Sequence, residues 1–179
     1  MVCASCGSLS KTISPPIKKN YRNAFYGNNM SYKWAIPTWQ FFHSFAAKIN
    51  EDFYKSHKLE CLNLIRNVCR SLPCPHCQQH ANQFFGNVNY KNYPTKESFR
   101  QLLLAFNNDV NRRTNKPLLS REDLNKYDNS VFLNITQYFL NTIKTYRGMM
   151  GGGLADTRAR DAMRNYVTTW INRYYTFFL

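Results

Sequence analysis

Six cysteines are the residues of this chain whose type and spacing best suit chemistry. They are Cys3, Cys6, Cys61, Cys69, Cys74 and Cys77. The first two and the last two form pairs with C-x-x-C spacing. The start of the chain has neither a basic n-region nor an apolar h-region, so we expect no signal peptide. A secreted disulfide scaffold is therefore disfavoured, and the paired spacing indicates either a metal site or thiol redox chemistry.

Zinc is the first alternative for these thiols. The two pairs could supply four thiolates, or Cys74, Cys77 and His80 could group locally with His76 nearby. However, 67 residues separate Cys6 from Cys74, whereas the pairs of a zinc ribbon usually stand about 15–20 residues apart. This spacing favours redox chemistry over zinc, and we expect no metal site.

The residues around the second pair favour redox chemistry for a further reason. Pro75 suits the first turn of a helix, which places Cys74 at the N-cap and Cys77 one turn inside. A helix N-terminus lowers the pKa of a cysteine thiol, and two sulfurs at this spacing can form a disulfide. A thioredoxin-like oxidoreductase is an alternative, but it requires a β-strand before the motif. Residues 59–68 instead have helical apolar spacing.

The elements that would position these thiols all have helical patterns. Apolar residues recur at 3.6-residue spacing, and no alternating strand pattern persists. The first predicted helix begins at Thr38, which would be its N-cap. The other predicted helices cover residues 58–70, 75–85 and 95–114, and then about 131–143 and 157–177. Residues 1–30, which are polar and contain Pro and Gly, are expected to form a flexible arm with a C-x-x-C motif. The sequence therefore predicts an all-α protein.

The charge of the chain limits its partners. Lys and Arg number 24 against 10 Asp and Glu, giving a net charge of +14 among 179 residues. Nucleotide phosphates, nucleic acid, acidic proteins and membrane surfaces are anionic partners that suit this charge. No stretch approaches the ~18–20 apolar residues that a membrane span needs. Cys61 and Cys69 are expected to be buried thiols, although Cys69 could also act as a resolving thiol.

Polar residues continue the apolar stripe of the helix predicted at 95–114. Asn107 and Asn111 lie on that side, and a buried amide without a partner costs about 1–3 kcal/mol. Either water or a polar ligand could satisfy them. Arg112, Arg113 and Lys116 follow at the end of the helix, where they could form a solvated face or hold phosphates.

Three motifs stand in order along the chain, at residues 34–43, 74–80 and 107–117. They resemble W-x-x-x-H, C-x-x-C-x-x-H and H-N-x-V-N-x-x-x-x-K-P of the FAD-linked sulfhydryl oxidases of the Erv/ALR type, and especially of their viral members. The resemblance covers about residues 33–117, roughly half of the chain. It implies a compact four- to five-helix bundle that binds FAD, usually as a homodimer. Residues 118–179 would be an added helical region, and 31–117 the oxidase domain.

The resemblance also implies roles for individual residues. Cys77 would be the sulfur next to the flavin, and Cys74 the sulfur that meets incoming thiols. The other matched positions would surround the cofactor, with the lysine near its phosphates: Trp39, His43, His80, Asn107, Asn108, Val110, Asn111 and Lys116. Two positions depart from the family pattern, because Asn107 replaces its histidine and Leu102 a frequent tryptophan. Both departures fall at the expected adenine end of the pocket.

The reaction implied by the resemblance passes electrons from dithiols through the Cys74–Cys77 disulfide to FAD and then to O₂, giving H₂O₂. Cys3 and Cys6 are the candidate shuttle pair. The expected partners are thiol-bearing proteins, a thioredoxin-like relay protein and a second copy of the chain. Nucleic acid is not an expected partner, because neither a basic binding module nor a zinc module explains Trp39 with His43. The expected location is the host cytoplasm or the virion, with the mitochondrial intermembrane space as the alternative.

Overall fold

The computed structural model describes residues 33–146 and 154–178, with the side chains of 154–156 left aside. Six α-helices and three short 3₁₀ segments make up the regular structure of these residues, without a strand. The helices are α1 (Ala35–Lys48), α2 (Glu51–Arg70), α3 (Pro75–Gly86), α4 (Lys96–Arg113), α5 (Phe132–Thr145) and α6 (Leu154–Tyr174). The 3₁₀ segments are Tyr90–Asn92, Glu122–Tyr127 and Tyr175–Phe177. The all-α prediction is confirmed.

The start of α1 differs from the prediction. The helix begins at Ala35 rather than after Thr38, and Thr38 does not act as its N-cap. Its hydroxyl instead donates to the carbonyl of Trp34, one turn earlier, at 2.8 Å. Pro37 is the reason for the error, because proline is tolerated within the first turn of a helix and does not have to precede it.

The start of α2 was also predicted too late, at residue 58. Asn50 caps the helix by accepting from the backbone N–H groups of Asp52 and Phe53 at 2.9 and 3.0 Å. The helix is kinked at His57, where φ is −118° and ψ is 22°. The apolar stripe used for the prediction covers only the part after this kink. Since α2 leads directly to the Cys74 motif, the strand that a thioredoxin-like fold requires is absent there.

The centre of the molecule is α1, whose phenylalanines pack against helices on several sides. Phe41 stacks on Phe139 of α5 with ring centroids 4.7 Å apart. Phe45 contacts Trp170 of α6 at 5.5 Å and Phe178 at 5.1 Å. These rings are buried in one cluster that also contains side chains of α2, α3 and α4. The boundary at residue 117 stays a prediction, and residues on both sides of it share this core.

The end of the described chain lies over the junction between α1 and α2. The backbone N–H of Asn50 donates to the carbonyl of Phe177 at 2.7 Å. The ring of Phe177 stacks on Phe53 at 4.4 Å, and that of Phe178 stacks on Phe132 at 4.4 Å. The last residues are therefore part of the packing around α1.

Two cysteines on α2 behave as small apolar residues. Cys61 and Cys69 are buried and have free thiols. Burial raises the pKa of Cys61 to about 12 and raises the pKa of Cys69 well above its usual range. Both thiols remain protonated at neutral pH and are poor nucleophiles. The prediction that they are buried is confirmed.

Two sequence predictions concern other parts of the chain. The flexible arm over 1–30 and its Cys3/Cys6 pair lie outside the residues that the structure describes. Among the helices built from the described ranges, none has the length and apolar character needed to cross a bilayer.

Candidate active site at the start of α3

Cys74 and Cys77 form a disulfide across the first turn of α3. Cys74 is the N-cap residue, and its Sγ accepts a hydrogen bond from the backbone N–H of Cys77 at 3.2 Å. Pro75 occupies the first helical turn, where its missing N–H costs nothing. Both cysteines are half-buried. The local structure predicted from the sequence is therefore present, with the disulfide accessible at a helix N-terminus.

The turn before α3 is fixed to the body of the helix. The side-chain amide of Gln78 donates to the carbonyl of Leu72 at 2.6 Å, and its backbone N–H donates to the carbonyl of Cys74 at 3.0 Å. Further along α3, Ala81 and Phe85 are buried in the core. The disulfide is thus held on a rigid element rather than on a free loop.

His80 lies one helical turn after Cys77 and connects α3 to α4. Its Nε2 lies 2.5 Å from a carboxylate oxygen of Asp109. The same carboxylate has Arg113 at 3.4 Å and Arg112 at 3.9 Å. Sequence reasoning missed Asp109, because it stands at a variable position of the matched motif and its partner is 29 residues away.

Aromatic rings form a surface where α1, α3 and α4 meet. Phe106 of α4 is its buried centre, with Trp39 at 5.2 Å, Phe84 at 4.9 Å and His80 at 6.1 Å between centroids. Trp39 and Phe84 are half-buried, so their rings are partly open to a ligand. This arrangement joins the α1 residues of the predicted site to those of α3.

His43 is buried on α1 next to this aromatic surface. It lies between Trp39 and Tyr127, whose rings stack on it at centroid distances of 6.0 and 5.4 Å. Burial lowers the pKa of His43 to about 3, with Lys126 and Arg100 adding to the effect. The neutral ring can accept a hydrogen bond at Nε2 from the amide of Asn107, 2.9 Å away. Sequence reasoning missed Tyr127, which no motif singles out.

The amides of α4 have protein partners. Asn108 makes two hydrogen bonds with the backbone of Leu119, at 2.9 and 2.8 Å. Asn111 donates to the carbonyl of Pro117 at 3.0 Å. The expectation that Asn107 and Asn111 need water or a ligand was wrong, because their side-chain NH₂ groups are bonded to His43 and to the carbonyl of Pro117. Asn108 and Asn111 fix the segment that follows α4.

The remaining predicted positions lie at the end of α4. Val110 is half-buried and packs against the core. Lys116 is also half-buried, and burial lowers its pKa. Arg112 and Arg113 are exposed beside it in sequence. The structure thus provides aromatic rings, neutral polar groups and cations around α4, next to a disulfide. Within the described side chains, no three His, Cys, Asp or Glu residues gather as they would around a metal ion.

This donor set fits FAD. The partly open rings of Trp39 and Phe84 suit a flat ring system, which stacks on aromatic side chains. Lys116 and the arginines before it are cations of the kind that hold a pyrophosphate. Asn111 donates through Nδ2 to Pro117 and retains a carbonyl oxygen that can accept a further hydrogen bond.

Comparison with known proteins gives the family. The Erv1 / Alr family model matches residues 36–131. A protein of African swine fever virus (isolate Tick/Malawi/Lil 20-1/1983), named FAD-linked sulfhydryl oxidase, is 32% identical over 106 residues, 59% of this chain and 87% of that protein. The protein of the same name from isolate Pig/Kenya/KEN-50/1950 is 31% identical over 103 residues, 57% and 86% of the two chains. No solved structure gives a significant match. Since the family model covers more than half of its length, the chain belongs to the Erv1 / Alr family.

Proposed function

We propose that this chain oxidises dithiols of protein substrates through the Cys74–Cys77 disulfide. By its family and its viral relatives, the chain is a flavin-linked thiol oxidase. The observation that supports the route is the half-buried disulfide at the N-terminus of α3, one helical turn before His80, whose ring packs on Phe106 of the aromatic surface. The buried thiols Cys61 and Cys69 have no place in this route, because their protonated forms are poor nucleophiles.

The exchange begins at Cys74. A substrate thiolate attacks its Sγ, a mixed disulfide forms, and the bond to Cys77 breaks with its electron pair left on the Cys77 sulfur. A second substrate thiolate then attacks the substrate sulfur of the mixed disulfide. Cys74 leaves as a thiolate, which the backbone N–H of Cys77 and the N-terminal dipole of α3 stabilise. The substrate has lost two electrons, and the C-x-x-C pair has gained them.

The cofactor is FAD, which the Erv1 / Alr family binds. When bound, FAD supplies an acceptor for two electrons and a path from it to O₂, giving H₂O₂. Trp39, His43, His80 and Val110 would surround the ring system. Asn107, Asn108 and Asn111 would line the remaining wall, and Lys116 would hold the phosphates. His43 contributes a neutral ring because burial keeps its pKa near 3.

Further partners are part of the same proposal. Cys3 and Cys6 would carry electrons from folded substrates to Cys74, and a thioredoxin-like protein would be a relay. The chain would act as a homodimer in the host cytoplasm or on virions, with the mitochondrial intermembrane space as the alternative. The viral relatives support a viral setting.

The absorbance spectrum of the purified protein is the first test. A flavin spectrum, with FAD released on heating, would support the proposal. A colourless protein that stays without cofactor when FAD is added would contradict it.

Oxygen consumption with dithiothreitol then tests the route. Cys77→Ser should lose turnover while keeping the flavin absorbance, because the C-x-x-C pair can no longer form a disulfide. Cys61→Ala is the matched control, since it removes a buried thiol away from the proposed route. A Cys77→Ser protein that works at the wild-type rate would contradict the route.

A further inference from the structure

The exchange steps above leave one ionisable pair unused. His80 of α3 and Asp109 of α4 lie 2.5 Å apart, with 12% and 29% of their side chains exposed. Two arginines of α4 pair with the same carboxylate. A carboxylate with two cationic neighbours of its own does not need a histidine for its neutralisation. The contact is therefore better explained by what Asp109 does for His80 than by what His80 does for Asp109.

The position of His80 relates it to the reacting sulfur. It follows Cys77 by three residues within α3, and residues at this spacing lie on the same face of a helix. Because side chains on a helix lean toward its N-terminus, we expect that of His80 to lie near the turn that carries Cys77. Asp109 accepts from Nε2–H, which fixes the ring and leaves Nδ1 as the second nitrogen. Phe106 packs beside the ring.

The two sulfurs of the disulfide differ in what stabilises them. Cys74 occupies the N-cap, where its sulfur accepts the backbone N–H of Cys77. Cys77 stands inside the first turn and does not occupy this cap. The thiolate that forms on Cys77 when the disulfide opens is not at this cap position, so a nearby positive charge would stabilise it further.

We propose that His80 supplies this charge and that Asp109 is its positioning residue. This inference rests on the proposed function and adds a charge-stabilising residue to it. When a substrate thiolate attacks Cys74, the electron pair of the broken bond stays on the Cys77 sulfur. In its protonated form His80 would stabilise this thiolate, and Asp109 would compensate the charge of the imidazolium, as in other cysteine–histidine pairs. If the Cys77 sulfur takes up a proton, His80 donates it.

The charged and titratable groups recorded next to His80 or its partner in the described residues lie on α3 and α4. Asp109, Arg112 and Arg113 face it from α4, and the arginines are directed to Asp109. His76 on its own helix is exposed, on the turn that carries the disulfide. Of these groups, Asp109 is the one that touches His80.

The test measures Cys77 directly and does not depend on oxidase activity. The full chain with Cys3→Ser, Cys6→Ser and Cys74→Ser leaves Cys77 as the accessible thiol. Its alkylation by iodoacetamide is followed against pH by mass spectrometry of the Cys77 peptide, under reductant. His80→Gln should move the midpoint of alkylation up by about 1 pH unit, the size expected for loss of a nearby opposite charge. Asp109→Asn should move it in the same direction by less.

Asp161→Asn is the matched control, because it removes an exposed carboxylate that pairs with Arg164 on α6. Its midpoint should equal that of the parent. If His80→Gln leaves the midpoint unchanged, the inference is overturned, and a fall in thermal stability alone would mark His80 as structural. If His80→Gln does not fold, an unchanged midpoint in Asp109→Asn overturns it instead. Loss of the proposed function would appear separately, as a wild-type chain that does not oxidise dithiothreitol.

Discussion

The buried histidine of α1 should make the protein sensitive to acid. His43 is neutral when folded, because burial lowers its pKa from 6.5 to about 3. In the unfolded chain it regains its ordinary pKa and binds a proton below pH 6.5. Below this pH the unfolded state therefore holds more protons, and the free energy of unfolding falls as the pH is lowered toward 3.

The size of this effect follows from the two pKa values. Each pH unit between them costs up to about 1.4 kcal/mol. Lowering the pH from 7 to 4.5 should therefore remove about 2–3 kcal/mol through His43 alone. This is a large share of the 5–15 kcal/mol that stabilises a typical domain.

Urea unfolding at pH 7 and pH 4.5 measures the effect. The comparison variant is His43→Leu with Asn107→Ala, which removes both partners of the 2.9 Å hydrogen bond. The wild type should lose about 2–3 kcal/mol more than this variant over the interval. Both proteins are measured with and without added FAD, so that the effect of cofactor binding on stability can be separated from the effect of His43 protonation. An equal loss in the two proteins would refute the assignment of acid sensitivity to His43.

Three other changes have expected outcomes. Asn107→Ala should lower the free energy of unfolding at pH 7 by about 1–3 kcal/mol, because it leaves the buried Nε2 of His43 unpaired. Its control is Asn134→Ala, at an exposed position of α5, which should change the free energy of unfolding by less than about 0.5 kcal/mol. Trp170→Ala should cost about 3–5 kcal/mol in the same assay, because its ring packs on Phe45 in the core. Removal of residues 1–10 should reduce turnover of protein substrates and leave turnover of dithiothreitol unchanged, and equal losses on both would count against a shuttle role for that segment.

The sequence was sufficient to predict a helix start where two or three neighbouring residues determine it. The N-cap at Cys74 and the start of α4 at about residue 95 were both predicted, because a cap followed by a helical stripe is a local pattern. The same kind of reasoning failed at α1 and α2. There the first turn carries Pro37, or precedes a kink at His57, and the apolar stripe does not reach the true start.

The wider site depended on contacts that no local pattern contains. Three motifs pointed to Cys74, Trp39 and His43, and the structure packs Trp39 on Phe106 at 5.2 Å and stacks His43 on Trp39. Tyr127 and Asp109 were missed, since each reaches its partner only after the chain has folded back. The partners of the α4 amides were missed for the same reason. Periodicity shows which face is buried, but not which side chain will meet a polar group there.

The packing of the last helix affects how the protein can be made on a ribosome. Phe45 and Phe53 of the first two helices are covered by Trp170, Phe177 and Phe178. During synthesis the N-terminal helices emerge first, and these rings remain exposed until residues 170–178 have been translated. We therefore expect the packing around α1 and α2 to become stable only when a segment more than a hundred residues downstream of these rings has been completed.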